Sequence, residues 1–429
     1  MPWPEIALVV AVLAAAPLAA GETDWKGRLE ESVRRALAQN PSIARMESEV
    51  EASWHRIGQA TALPDPEIEA GILNVPTSTF SLSQDFMTME QFGARQRFPA
   101  AGTRPARRRL AEAAASSLSS MHEDHVVRLS GEVADAFFAV AGLDGRIAVL
   151  ELSRERLARV AASASERYRV GKGAQADVLQ ANVEATAVDE RLAGLRGERR
   201  AMAARLNTLQ GLPPFADVAP IPIPESEPEA PGFGALLRRA EETSPAVAAA
   251  AARVRGAEEE RALADLEKRP EISAFAYYAH RVDFDDMAGA SVGLTLPFFQ
   301  PKRLREKAAE KEAGLSGARA DLELVKNEIR RGVAEAYAGI EAMVAQADLF
   351  RGTILPQAEI SARAAQEAYM VGQVDFSTYI RASLDRDSYE AGLVERQAGA
   401  WRALAALQMA SGLPLLPGTP GRGDLHVEK

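Results

Sequence analysis

Two hydrophobic periodicities alternate along this chain, and each stretch that carries them occurs twice. Residues 25–60 and 233–268 follow the helical spacing, with breaks at Asn40-Pro41 and Ser244-Pro245, where proline lacks a backbone donor and biases its predecessor away from helix. The period then drops to two. Over 66–74 Ile68, Ala70 and Ile72 alternate with Glu67 and Glu69, and over 90–98 Phe92, Ala94 and Phe98 alternate with Gln91, Arg95 and Arg97, which predicts a strand pair. A second pair is expected at 271–282 and 288–298, clearest where Val292, Leu294 and Leu296 alternate with Ser291, Gly293 and Thr295. A face with acids on one strand and arginines on the next fits a wet interior, and the apolar face fits either lipid or a core.

After each strand pair comes a proline-containing corner and then a long helical stretch. Residues 106–168 hold no proline and few glycines, and a helix of that length would be about 95 Å long. Ala136, Val140, Leu143, Ile147, Leu150 and Leu157 recur at spacings near three and four, as do Ala336, Ile340, Met343, Ala347, Phe350 and Ile354. A period near 3.5 held over several turns predicts supercoiled helix packing. Each long helix meets a glycine turn, at Val170-Gly171-Lys172-Gly173 or Val371-Gly372, and a return helix runs back to Gly-Leu-Pro.

The duplication is literal. Pro41, Pro66, Glu67 and Ile68 recur 204 positions later as Pro245, Pro270, Glu271 and Ile272, and the tip segment from Tyr168 recurs 201 positions later from Tyr369. Across the long helices the offset passes from 200 to 201, which predicts a one-residue insertion near Pro356 together with a kink. Two repeats are therefore expected, at 22–212 and 233–415, joined by a connector at 213–232. The connector region holds seven prolines between 212 and 231, a composition that predicts an extended chain. The Gly- and Pro-rich end, 416–429, is expected to be a disordered tail.

Composition narrows the function. A net charge of −10 argues against nucleic acid as a partner. With no cysteine among 429 residues, thiol catalysis, thiolate zinc sites, disulfides and a lipoprotein-type anchor have no residue to use. Residues 6–20 form an apolar stretch ending in small residues, the pattern of a secretory signal over 1–21, although Met1-Pro2-Trp3-Pro4-Glu5 lacks the usual basic residue. That stretch is short of the roughly 20 residues a spanning helix needs, and no later segment approaches this length, so any membrane insertion must use strands. No phosphate loop, nucleophile elbow or zinc-protease motif is present, so no catalytic residue and no cofactor are expected.

At the tips, Tyr168-Arg169-Val170-Gly171 followed by Asp177-Val178-Leu179-Gln180-Ala181, and Tyr369-Met370-Val371-Gly372 followed by Tyr379-Ile380-Arg381-Ala382, resemble the TolC-like outer-membrane efflux proteins. The closing Gly-Leu-Pro of each half and the duplication itself strengthen the resemblance, which spans about 25–415. Leu63-Pro64-Asp65-Pro66, Asn74-Val75-Pro76, Met87-Thr88-Met89 and Arg97-Phe98-Pro99-Ala100-Ala101-Gly102 look like the subgroup that works with heavy-metal pumps of the resistance–nodulation–division (RND) class. The resemblance implies a mostly helical homotrimer. Each chain would give four strands to a 12-stranded barrel in the outer membrane, continuing into a periplasmic α-helical tunnel. It also implies docking with a periplasmic adaptor and an inner-membrane RND pump. Two strand pairs are too few to close a barrel alone, so association is needed to remove the edges.

The resemblance puts a lock at the tips. Asp177 falls where the family has an acidic tip residue and Tyr369 where it has an aromatic partner, with Arg169, Lys172, Asp375 and Arg381 supplying nearby charge. Gly171 and Gly372 are expected to serve turns with positive φ. Where family members carry acids around the pore entrance, this chain has Thr378 and Arg381, so cation selectivity of that origin is not expected. Glu67, Glu69, Arg95 and Arg97 are the candidates for a lumen-facing polar surface. His122 and His125 have a spacing that can share an ion, but they lie in a charge-rich helix without a visible third ligand, and a solvated helix face is the expectation. The function implied is a non-enzymatic export duct for metal cations or small toxic compounds. The rivals are a type I protein-secretion channel of the same fold and a soluble periplasmic coiled-coil adaptor or scaffold.

Overall fold

The computed structural model describes residues 25–297 and 300–421; the expected signal segment, the end of the tail, Arg422-Gly423-Asp424 and His426 lie outside them. The first repeat begins with α1 (Trp25–Gln39) and α2 (Pro41–Thr61). Asn40 makes the break between them: its Oδ1 accepts from Ser42 N at 3.0 Å, while its Nδ2 donates to Leu209 O at 2.9 Å and so ties the break to the end of a later helix. The second repeat begins likewise with α5 (Phe233–Thr243) and α6 (Pro245–Leu266). Here the tie is steric. Gly412, with φ of +66°, lies so close to Ser244 that a Cβ on it would fall 2.6 Å from Ser244 Oγ, and Gly211 sits in the same way against Gln39 O. That crowding, with the left-handed φ, explains why each return helix closes on Gly-Leu-Pro.

The strands are β1 (Glu67–Leu73), β2 (Met89–Phe98), β3 (Glu271–His280) and β4 (Met287–Thr295). They form one antiparallel sheet in the order β1-β2-β3-β4, with Ile68 opposite Ala94, Ala94 opposite Ala276 and Ala276 opposite Ala290. Ile68, Ile72, Phe92, Ile272, Tyr278, Val292 and Leu294 stand exposed on one face. Glu67, Glu69, Arg95, Arg97, Ser273 and Ser291 occupy the other. Within one chain, β1 and β4 each keep an unpaired edge. Among the described residues no helix is long and apolar enough to cross a membrane.

The long helix α3 (Thr103–Arg169) is unbroken over 67 residues, about 100 Å, and returns as α4 (Gln175–Leu209). Its second-repeat counterpart is divided into α7 (Pro301–Leu349), a π turn at Phe350–Ile354 and α8 (Leu355–Met370), with α9 (Phe376–Ser411) running back. Leu355 N–H donates to Phe350 O, five residues back. Such a turn carries one residue more than an α turn, so it absorbs the insertion by which the offset grows from 200 to 201. The main core lies midway along α3 and near the C-terminal ends of α4 and α9, where Phe137, Phe138, Trp25 and Trp401 pack together and Phe138 stacks on Trp401 at 5.2 Å. Nearer the tips a second core gathers Leu157, Val188, Leu192, Phe376 and Ile380.

The connector is extended and pinned along the helical body. Arg28 donates to Pro220 O at 2.7 Å, Ile221 N to Asp144 Oδ2 at 2.9 Å, and Trp401 Nε1 to Ser226 O at 3.2 Å. The segment from 416, expected as a free tail, starts out packed. Leu416 is buried, and the Oε1 of fully buried Gln408 accepts from Leu415 N at 3.0 Å, Leu416 N at 2.9 Å and Thr419 Oγ1 at 3.2 Å. A single side-chain amide thus satisfies three donors of a chain end that has no regular structure.

Candidate functional site at the helical tips

Both long hairpins turn by the same motif. At the first tip Gly171 has φ of +73° and Lys172 N donates to Arg167 O at 2.8 Å; at the second Gly372 has φ of +77° and Gln373 N donates to Ala368 O at 2.8 Å. This six-to-one bond across a left-handed residue is the Schellman closure. A Cβ at either glycine would meet nothing within 4 Å in the chain, so the sign of φ alone selects the residue. The return helices start differently. Asp375 caps α9, accepting from Thr378 N at 2.8 Å and Ser377 Oγ at 3.0 Å, and hydrogen bonding to Thr378 holds its carboxyl below the usual value. No side chain caps α4; Asp177 lies in its first turn instead, where a negative charge is stabilised by the positive end of the helix dipole.

The turns bring Asp177 and Tyr369 together although they are 192 positions apart: Tyr369 Oη donates to Asp177 Oδ2 at 3.2 Å. Around Tyr369 the guanidinium of Arg167 stands 4.9 Å from the ring, Tyr379 stacks at 5.6 Å and Phe376 meets it edge-on at 5.4 Å. Burial first, and then the Asp177 charge, push the Tyr369 phenol above its ordinary value, so it stays a proton donor at neutral pH. The remaining expected tip charges stand apart from this pair. Arg169 bonds to Glu166 of its own helix at 2.6 Å, Lys172 is exposed in the turn, and Arg381 lines a separate groove with Thr378 and Asp385.

A second cross-link lies further up the hairpins and was not foreseen. Asp387 of α9 is buried, and Arg156 of α3 reaches it at 2.6 Å while Arg386 closes on the same oxygen. Asp387 follows Ile380 and Leu384 at helical spacing. A lone acid in an apolar stripe was the available signal, because a carboxylate there must find a cation.

At the other end of the molecule the polar sheet face is a charge ladder. Arg95 bonds to Glu69 at 2.9 Å and Arg97 to Glu67 at 2.7 Å, and Arg95 also stands 4.7 Å from the ring centre of Phe275. The Phe275 ring crowds Gly93, where a Cβ would come within 2.5 Å of it. His122 and His125 are not on a solvated face, contrary to expectation. His122 is buried, and burial lowers its pKa; His125 Nε2 pairs with Ser42 Oγ of α2 at 2.7 Å. Packing of α2 against α3 covers them. Among the described residues no group of three or more His, Asp or Glu side chains is arranged to hold a metal ion.

Long paired hairpins carrying a four-stranded sheet with one exposed apolar face define the fold of outer-membrane channels with helical ducts. The model of the outer membrane efflux protein family matches residues 33–212 and 236–413, once per repeat, and the chain belongs to that family. It is 26% identical over 367 residues to the cobalt-zinc-cadmium resistance protein CzcC of Cupriavidus metallidurans, covering 81% of each chain. Among solved structures, the outer membrane protein VceC of Vibrio cholerae superimposes with a TM-score of 0.77 at 18% identity, over 90% of this chain and 96% of that one. The open state of the MtrE outer membrane channel of Neisseria gonorrhoeae does so with a TM-score of 0.72 at 16% identity, over 92% and 91%.

Proposed function

We propose that three copies of this chain form the outer-membrane duct of a tripartite RND-type system that exports metal cations or small toxic compounds. The observation that carries this reading is the sheet. Four strands with two unpaired edges and a fully exposed apolar face are stable in lipid only when the edges are closed by further copies. Three copies give 12 strands, enough for a barrel with an open lumen. The ladder of Glu67, Glu69, Arg95 and Arg97 then faces the water-filled interior, and Ile68, Phe92, Val292 and Leu294 face lipid.

The helices continue this tube into the periplasm, where the tips meet the adaptor and the inner-membrane pump. In this reading the Asp177–Tyr369 bond holds the tube closed, and separating α8 and α9 from α3 and α4 opens it. The duct does no chemistry, and transport is diffusion in a sealed conduit driven by the pump. The likeness to a cobalt-zinc-cadmium resistance protein supports metal cations as the cargo.

The test is loss of the gene in its native host. Heightened sensitivity to cobalt, zinc or cadmium, restored by the intact chain, is expected. Unchanged tolerance of these metals, together with loss of a secreted protein, would replace the metal reading by the type I secretion one.

A further inference from the structure

The two repeats differ at one place along their long helices, and that place lies where the tip-bearing part of the second hairpin begins. In the first repeat α3 runs without interruption from Thr103 to Arg169, whereas the second is interrupted by the π turn Phe350–Ile354. Above the turn α7 is held on several sides. It packs on α5, α6 and α9, with Val333 and Ile340 buried in the main core. Arg351 anchors the turn itself to the connector through Glu227 at 2.9 Å. Below the turn α8 has α9 as its principal neighbour, and of its side chains only Ala358 is buried. Tyr369, at its far end, makes the bond to the first repeat.

The turn has a seat on the return helix. Phe350 lies against Gly392, where a Cβ would approach the ring to 2.9 Å. Arg396 covers the ring at 4.2 Å while donating to Gly392 O at 2.8 Å, and Tyr389 meets the ring edge-on at 6.3 Å. An aromatic ring on a bare patch of backbone can roll without unlocking interdigitated side chains. A π turn is also a point where the helical hydrogen-bond ladder changes register, and sharp bends in long helices fall at such points.

We infer that the π turn Phe350–Ile354, seated on Gly392, is the hinge on which the lower part of the second hairpin swings when the duct opens. This inference rests on the closed-tip reading of Asp177 and Tyr369. Everything above the turn is the fixed frame. Below it, α8 and the facing part of α9 form a lever held to the first hairpin by the second core, where Phe376 and Ile380 pack with Leu157, Val188 and Leu192, and by two polar links, Arg156–Asp387 near the fulcrum and Asp177–Tyr369 at the end. A lever of 16 residues is about 24 Å long, so a swing of about 15° displaces the tip by about 6 Å.

Because the chain has no cysteine, single labels can be placed freely. Glu341→Cys above the turn, Glu359→Cys below it and Gln373→Cys at the tip are spin-labelled one at a time in the full-length assembled protein. Distances between copies are measured by pulsed electron resonance with the latch intact and with Tyr369→Phe or Asp177→Ala. Conductance in bilayers is recorded on the same samples. The expected result is raised conductance with the Glu341 distance unchanged, the Glu359 distance longer and the Gln373 distance longest. Raised conductance with movement already present at Glu341, or with movement at Gln373 alone, overturns the hinge while leaving the latch standing. If neither latch variant raises conductance, the closed-tip reading fails and the hinge falls with it.

Discussion

Tyr369→Phe removes one hydroxyl and leaves the ring among Phe376, Tyr379 and Arg167. What is lost is a bond from a phenol to a carboxylate at 3.2 Å, half-buried at the tip. Hydrogen bonds to charged groups contribute about 1.5–3 kcal/mol when short and sheltered. This one is long and partly wet, so about 1 kcal/mol per copy is the fitting figure. Three copies opening together would shift the closed-to-open equilibrium by about 3 kcal/mol, or roughly a hundredfold. The rings keep their packing, so thermal stability should change little. Single-channel recording in planar bilayers reads the effect directly: the variant should spend far more time in high-conductance states than the parent. An unchanged closed-state conductance would refute the assignment of this pair as the latch, because no other change accompanies the lost hydroxyl.

Asp387→Ala should be the more damaging change to the fold. It strands Arg156 and Arg386, both partly exposed, so the cost falls near or below the low end of the 3–5 kcal/mol typical of broken buried pairs, at about 2–3 kcal/mol, visible as a lower thermal midpoint. Gly93→Ala should destabilise the sheet by about 1–3 kcal/mol by driving Cβ into Phe275, and the double variant with Phe275→Ala should recover much of the loss in the same melting assay. Asp375→Ala uncaps α9 and should lower the midpoint at neutral pH. Because the folded state holds that carboxyl below its ordinary value of 3.8, its stabilisation is present above that pH and fades as the pH falls below it. Tyr369 has the opposite sign: its pKa is raised from an ordinary 10.0, so the latch should persist through pH 10 and fail only above it, measured as alkaline-induced opening.

The two periods, three and a half and two, reveal the element types because each tracks which side chains face a partner. The two faces of the strands, though not their registers, followed from the alternation of Ile68 and Ala70 with Glu67 and Glu69. The inserted residue was legible as a change of offset, but a kink at Pro356 was the expected form. The structure places the irregularity at Phe350–Ile354, because a π turn absorbs the extra residue without ending the helix. Asp177 and Tyr369 were found through resemblance, and their 3.2 Å contact depends on two hairpins meeting at the same height. Sequence spacing does not encode the pairing of α3 with α9, so the Arg156–Asp387 link, 231 positions apart, stayed hidden. His122 was misjudged for a related reason. Its charged neighbours Glu123 and Asp124 suggest solvent, but α2 covers that side of α3.

The central claim is a closed tube made of several copies of this chain in a membrane. The most direct measurement is the mass and shape of the protein extracted from the outer-membrane fraction, by cross-linking followed by negative-stain imaging. A trimer more than about 100 Å long, as the length of α3 requires, is the predicted result. A soluble monomer or a short rod would contradict it, since the exposed apolar sheet face and its open edges would then have no membrane to enter.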